Sequence, residues 1–217
     1  MWDLNLVSRY APFIYYDRLE PFYPVRIGVT VLSQAGPSPS FSREFQFQDE
    51  RLDFIIEYAV YYDYDIQHLY DLEHVWIYVA KDGSVLDCEA SFHGKYLRGL
   101  LKDRSNLEQT HVRLYSQPGK HAFAPFVQLF DLIPNMEACT DVDAGKAGLI
   151  VTTPFKGAYE TNDEINHSVC EFLQGYRFKP SMEFKRYILP EDIYVTWETL
   201  HLEIPIRIRH ILEQIMT

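Results

Sequence analysis

Asp65, His68, Asp71 and Glu73 lie within nine residues, at the junction of two segments that read as strands. Side chains two apart on a strand share a face, so Asp71 and Glu73 are expected to point together. Asp65 closes the preceding strand, and His68 stands in the five-residue loop leading to Asp71. A hairpin closing there brings all four side chains to one rim. Carboxylates packed that closely repel one another unless a cation or a raised pKa relieves them. Carboxylates joined by one imidazole suit a hard or borderline ion (Mg²⁺, Ca²⁺ or Mn²⁺) better than a structural zinc. Asp and His between strands are also common as plain solvated turn residues. Spacing alone leaves both accounts open.

The elements that must position these groups are written in the same region. Residues 52–65 read LDFIIEYAVYYDYD, and the runs 74–80 (HVWIYVA) and 85–91 (VLDCEAS) flank Lys81-Asp82-Gly83-Ser84. Aromatic and β-branched residues fit a pleated surface, and Asp-Gly between two such runs signals a hairpin. Further strands are expected over 25–32, 111–116, 122–129, 148–152 and 193–200, with 34–42 (QAGPSPSFS) as a surface loop. Thr161 and Glu164 form a capping box that opens a helix stopping near Gly175. Apolar residues at 204, 208, 211, 212 and 215 predict a C-terminal helix. Short strands with late helices predict a mainly β chain: a two-layer β-sandwich decorated with a few helices, the C-terminal one among them. A length of 217 residues suits one domain over 1–217.

Composition narrows the function classes. Aromatic residues make up 15% of the chain, which favours sheet. The net charge is −11, from 31 acidic and 20 basic residues, so the surface repels phosphates and nucleic-acid binding is disfavoured. Cys88, Cys139 and Cys170 are an odd, widely spaced set that reads as neither a disulfide framework nor a metal pair. The first residues, MWDLNLVSRYAPF, lack the basic head and apolar core of a secretory signal, and no apolar run approaches a membrane span. A cytoplasmic location is the resulting expectation.

Other motifs fail on spacing. Asp141-Val142-Asp143-Ala144-Gly145 lacks the glycine and glutamate that a calcium loop needs at its sixth and twelfth positions, filled here by Lys146 and Thr152. Neither a phosphate loop nor G-x-S-x-G nor H-E-x-x-H occurs. Cys170, one helical turn after His167, reads as core rather than nucleophile. Asp87 and Glu89 read as a solvated sheet face.

Two blocks, YAVYYDYD and HLYDLEHVWIYV, resemble the core signature of the necrosis- and ethylene-inducing-like proteins, which runs YAWYFPKD and then GHRHDWEHVVVWV. Ser91-Phe92-His93-Gly94-Lys95-Tyr96 is similar to that family's S-A-H-G-G-Y, and Lys120-His121-Ala122-Phe123-Ala124 echoes its T-H-x-x-x-F. Leu72, Tyr70 and Gln67 depart from the Trp, second His and leading Gly of the family pattern. The opening YAPFIYYDRLEPFYP, with Asp17 and Glu20, is similar to the related family named after vacuolar protein sorting-associated protein sixty-two. These islands cover residues 10–125. The resemblance implies a β-sandwich whose divalent ion is held by Asp65, His68, Asp71 and Glu73. It makes His93 and His121 candidates for orienting a ligand or a bound water, and lets Asp17 and Glu20 reach the same rim. For each of these four, packing or structural hydrogen bonding is the competing account. The departures withhold the inference of plant-cell toxicity.

Three functional readings follow. In the first, the ion organises an acidic pocket for a small polar ligand: a polyol, sugar or lipid head group. In the second, the ion activates water in a hydrolase and His93 or His121 moves the proton. In the third, the ion is purely structural. The sequence leaves oligomeric state open.

Overall fold

The computed structural model describes residues 3–217. In chain order its strands begin with β1 (Phe13–Asp17), β2 (Arg26–Leu32), β3 (Gly36–Pro37), β4 (Glu44–Phe45), β5 (Leu52–Tyr64) and β6 (His68–Ala80). There follow β7 (Val85–Phe92), β8 (Lys95–Arg98), β9 (Leu107–Glu108), β10 (His111–Ser116), β11 (Phe123–Ala124), β12 (Gly148–Leu149), β13 (Phe184–Tyr187) and β14 (Tyr194–Thr196). The α-helices are α1 (Leu4–Tyr10), α2 (Met136–Thr140), α3 (Asp163–Gln174) and α4 (Trp197–Ile215).

Two sheets face each other. The larger runs β14-β2-β5-β6-β7-β8, with β12 also pairing β6; the smaller runs β11-β10-β1-β13, with β9 on β10. Between them lie Ile14 and Tyr16 of β1, Val112 and Leu114 of β10, and Tyr58, Val60, Tyr62, Val75 and Ile77 of the central hairpin. The alternate residues Ala59 and Tyr61 face the other way, onto α3 and α4 through Leu173, Leu200, Ile204 and Ile208. A third cluster on β5 and β6 (Ile55, Trp76) is roofed by Phe41 and Phe45. The chain is a β-sandwich with helices on the outer face of its larger sheet.

The hairpin β5–β6 dominates the architecture. Its strands are 13 residues each, antiparallel, in register Tyr62↔Asp71 and Val60↔Glu73. The turn is tighter than the five-residue loop expected: Asp65 N–H bonds the His68 carbonyl, so His68 opens a strand rather than sitting in a loop.

Four further expectations shift. The strand expected over 122–129 is cut to Phe123–Ala124 and yields to a 3-10 turn at Val127–Leu132, because Pro125 has no N–H for a ladder. The strand expected over 193–200 stops at Thr196, whose side chain accepts from Thr199 N–H and starts α4. Trp197, Leu200, Ile204, Ile208 and Ile211 then recur at helical spacing and are buried, so α4 begins seven residues before the helix read from position 204. Asn162, not Thr161, caps α3, accepting from Ile165 N–H. No described helix is long and apolar enough to cross a membrane.

Candidate metal centre

The hairpin tip is enclosed rather than set on an open rim. Ile66 N–H bonds the Gly119 carbonyl, Gly145 N–H bonds the Ile66 carbonyl and Ala147 N–H bonds the Gln67 carbonyl. The loops around 119 and 145 therefore wrap the turn, and Asp65 is fully buried. Its Oδ1 accepts from Gln67 N–H at 2.7 Å and from Lys120 Nζ at 2.7 Å. Its Oδ2 is buried with no hydrogen-bond partner.

Strand geometry then assembles the rest. Asp71, paired with Tyr62, and Glu73, paired with Val60, share the inner face, as expected. His68 is an odd number of residues from Asp71, so a regular strand would send it to the opposite face. The alternation breaks at Tyr70, whose φ is 47°. Leu69, Tyr70 and Leu72 consequently all pack on the helix side. The break is braced by the Tyr70 hydroxyl, 2.8 Å from Thr152 Oγ1 and 3.0 Å from the Tyr159 hydroxyl. His68 Nε2 thereby lies 3.7 Å from Asp65 Oδ1. Nδ1 of His68 lies 2.9 Å from the Tyr70 carbonyl and so carries the proton, which leaves Nε2 with a free lone pair facing the site.

His121 enters from the loop after β10, with φ of 57°. Its ring stacks flat on Tyr62, centroids 3.8 Å apart and planes 2° from parallel. Nδ1 lies 3.4 Å from Asp71 Oδ2 and Nε2 lies 3.5 Å from Glu20 Oε1. Burial would lower this imidazole's pKa, but the Asp71 and Glu20 carboxylates lift it to about 10. Burial also favours a neutral Asp71, and contact with His121 outweighs it, holding the carboxyl below its usual range. Glu73 goes the other way: burial, then the Asp71 charge, pushes its carboxyl well above the usual range, while Ser91 Oγ donates to its Oε2. One ligand atom each from Asp65, Asp71 and His121 fall within 4.8 Å of one another.

The structure thus brings Asp65, Asp71 and His121 together, sets His68 beside Asp65, and keeps Glu73 close by but turned toward Ser91. Glu20 joins as well: its Oε2 accepts from Gly119 N–H at 2.7 Å, fixing the turn that carries His121. Asp17 does not; it accepts from Leu19, Ser181 and Met182 and ties down the segment before β13. His93 also stays outside, its Nε2 2.8 Å from Gln117 Oε1 at the base of the 117–121 turn. Glu89 is not a solvated residue of an open sheet face, since Arg43 pairs with it at 2.6 Å under the Phe41 loop. Lys120 was not singled out by the sequence, because nothing local marks a lysine 55 positions from the aspartate it meets.

A cleft of about 280 Å³ opens beside the cluster, with Phe41, His68, Tyr70, Asp71, His74 and Phe155 among its walls. A larger cavity of about 450 Å³ lies between Phe41, Trp197 and His201 and touches none of the acidic cluster.

No family model matches the chain, and no curated protein is significantly similar to it. Among solved structures it is similar to NLPPya in complex with glucosamine, at 18% identity and a TM-score of 0.39 over 56% of this chain and 66% of that one. It is similar to NLPPya in complex with mannosamine, at 18% identity and a TM-score of 0.38 over 56% of this chain and 68% of that one. A third is Necrosis and Ethylene inducing Protein 2 from the causal agent of cocoa's Witches Broom disease, at 19% identity and a TM-score of 0.36 over 55% of this chain and 66% of that one. The chain thus spans about two thirds of the length of these structures. The resemblance to the vacuolar protein sorting-associated family is not shown by these comparisons.

Proposed function

We propose that the chain is a divalent-cation-dependent binding protein whose ion is held by Asp65, His68 and Asp71, with Glu73 behind them, at the edge of the 280 Å³ cleft. One observation carries this reading: Asp65 Oδ2 is buried without a partner, and a buried carboxylate oxygen left bare is costly unless something positive meets it. The donor set fits a hard or borderline ion, Mg²⁺, Ca²⁺ or Mn²⁺, since it offers carboxylate oxygens and one neutral imidazole nitrogen and no thiolate. Such an ion, if held there, would supply the positive charge that draws a ligand's oxygens toward these carboxylates.

The chain's own residues define the ligand. Half-buried Phe41 lines the cleft over a floor that includes the nearly buried Tyr70 and Phe155, an apolar surface suited to the C–H face of a pyranose or polyol, and Asp71 offers acceptors to its hydroxyls. His74 lines the same cleft; it is buried and neither ring nitrogen has a hydrogen-bond partner. Burial holds its pKa down at about 4, so at neutral pH it is an uncharged part of the cleft wall. A sugar, polyol or lipid head group matches this combination.

His93 and His121 give the hydrolytic alternative no support: one is tied to Gln117, and the other is wedged between two carboxylates that keep its proton on. Titration with glucosamine and mannosamine, with and without added Ca²⁺, Mg²⁺ or Mn²⁺, tests the proposal. Ion-dependent hexosamine binding that Phe41→Ala weakens is expected. Ion binding without any polyhydroxylated ligand would leave the ion a structural role only.

A further inference from the structure

The Lys120 ammonium sits among the groups proposed above as ligands. It donates to Asp65 Oδ1 at 2.7 Å and lies 3.4 Å from His68 Nε2, on the lone pair that the His68 tautomer leaves free. The side chain is 12% exposed. The backbone that delivers it is fixed from both sides. Gly119, at φ of 69°, packs so closely on the hairpin tip that a Cβ there would lie 2.8 Å from Ile66 Cγ2. The Gln117 carbonyl accepts from both Lys120 and His121 N–H, and Glu20 grips Gly119 N–H. The lysine is therefore built into the site rather than resting on it.

We propose that Lys120 is a resident cation of the centre, competing with the divalent ion for the Asp65 carboxylate and His68 Nε2 and withdrawing when an ion binds on the open Asp65 Oδ2. This rests on the metal reading above and adds its regulation. Lys120 gives Asp65 Oδ1 and His68 Nε2 a positive partner when cation is scarce, while Asp65 Oδ2 stays bare. A divalent ion at the same place would meet the ammonium at contact distance, and two like charges at that separation repel strongly in a buried setting. Binding therefore requires the lysine to leave. Such a site takes its ion according to the ambient concentration instead of holding it permanently.

Two measurements test this. The first is reductive methylation of the native chain, followed by mass spectrometry, with and without Ca²⁺, Mg²⁺ or Mn²⁺. Lys120 is expected to resist modification without ion, relative to exposed Lys81, and to become reactive with it. Lys120 remaining protected under conditions where calorimetry shows the ion bound would overturn the proposal. The second is Lys120→Met, expected to bind the ion about tenfold or more tighter than the native chain. Ion binding by the variant alone supports the proposal and means the lysine wins in the native chain. Equal affinities overturn it while sparing the metal reading, and absence of binding in both chains overturns both.

Discussion

The His121 ring lies flat on Tyr62, 3.8 Å between centroids, while the Tyr62 hydroxyl meets that of Tyr16 at 2.5 Å. One buried tyrosine thus links the core between the sheets to the histidine that faces Asp71. Tyr62→Phe keeps the stack and leaves the Tyr16 hydroxyl buried without its partner, a loss of about 1–2 kcal/mol. Tyr62→Leu removes the stack as well and is expected to cost about 3 kcal/mol or more. Urea denaturation of the two variants separates these effects. Equal losses would mean that the stack contributes nothing.

The Phe41 loop forms one wall of the cleft and is held down by Arg43. Its guanidinium lies 4.5 Å from the Phe45 and Trp76 rings and 4.0 Å from Tyr96, and it pairs with Glu89 at 2.6 Å. Ser38 and Ser40 donate to Glu57, which also accepts from Trp76 Nε1 at 2.7 Å. Arg43→Ala removes the cation facing Glu89, leaving it only the Tyr78 hydroxyl, and should lower stability by about 3 kcal/mol. Limited proteolysis should then cut within 34–48, and ligand affinity should fall with ion affinity unchanged. A variant as protease-resistant as the native chain would show that the loop is held by other contacts.

His74 sets an acid limit. It is 2% exposed, and burial depresses its pKa from 6.5 to about 4. Above pH 6.5 both folded and unfolded chains carry it neutral, so it adds no pH dependence. As pH falls from 6.5 toward 4 the unfolded chain gains a proton that the folded chain refuses, and stability drops by roughly 3 kcal/mol over that window. Below about 4 this contribution levels off. His74→Gln should flatten the difference in stability between pH 7 and pH 4.5 measured in guanidinium. Parallel profiles for the two chains would contradict it.

What the sequence could show follows from range. The β5–β6 hairpin was legible because its aromatic and β-branched runs are local, and Asp71 with Glu73 followed from the two-residue period. The spacing places His68 in a loop because the left-handed break at Tyr70 depends on Thr152 and Tyr159, far along the chain. The enclosure of Asp65 was hidden for the same reason: the loops that bury it come from 119 and 145. Glu20 was within view as a rim candidate, yet its role as the anchor of Gly119 appears only when the two segments meet. The start of α4 was misread because 193–200 carries strand-like residues, whereas burial at 197, 200 and 204 has a helical period. Lys120 carried no signal at all, since a lone lysine in a turn is ordinarily solvated.

The central claim is that the bare Asp65 oxygen exists to meet a divalent ion. Calorimetric titration of the native chain and of Asp65→Asn with Ca²⁺, Mg²⁺ and Mn²⁺, after exhaustive chelation, tests it most directly. The account predicts one saturable site in the native chain that Asp65→Asn abolishes. Absence of binding to both the native chain and Lys120→Met, or binding that survives Asp65→Asn undiminished, would contradict it.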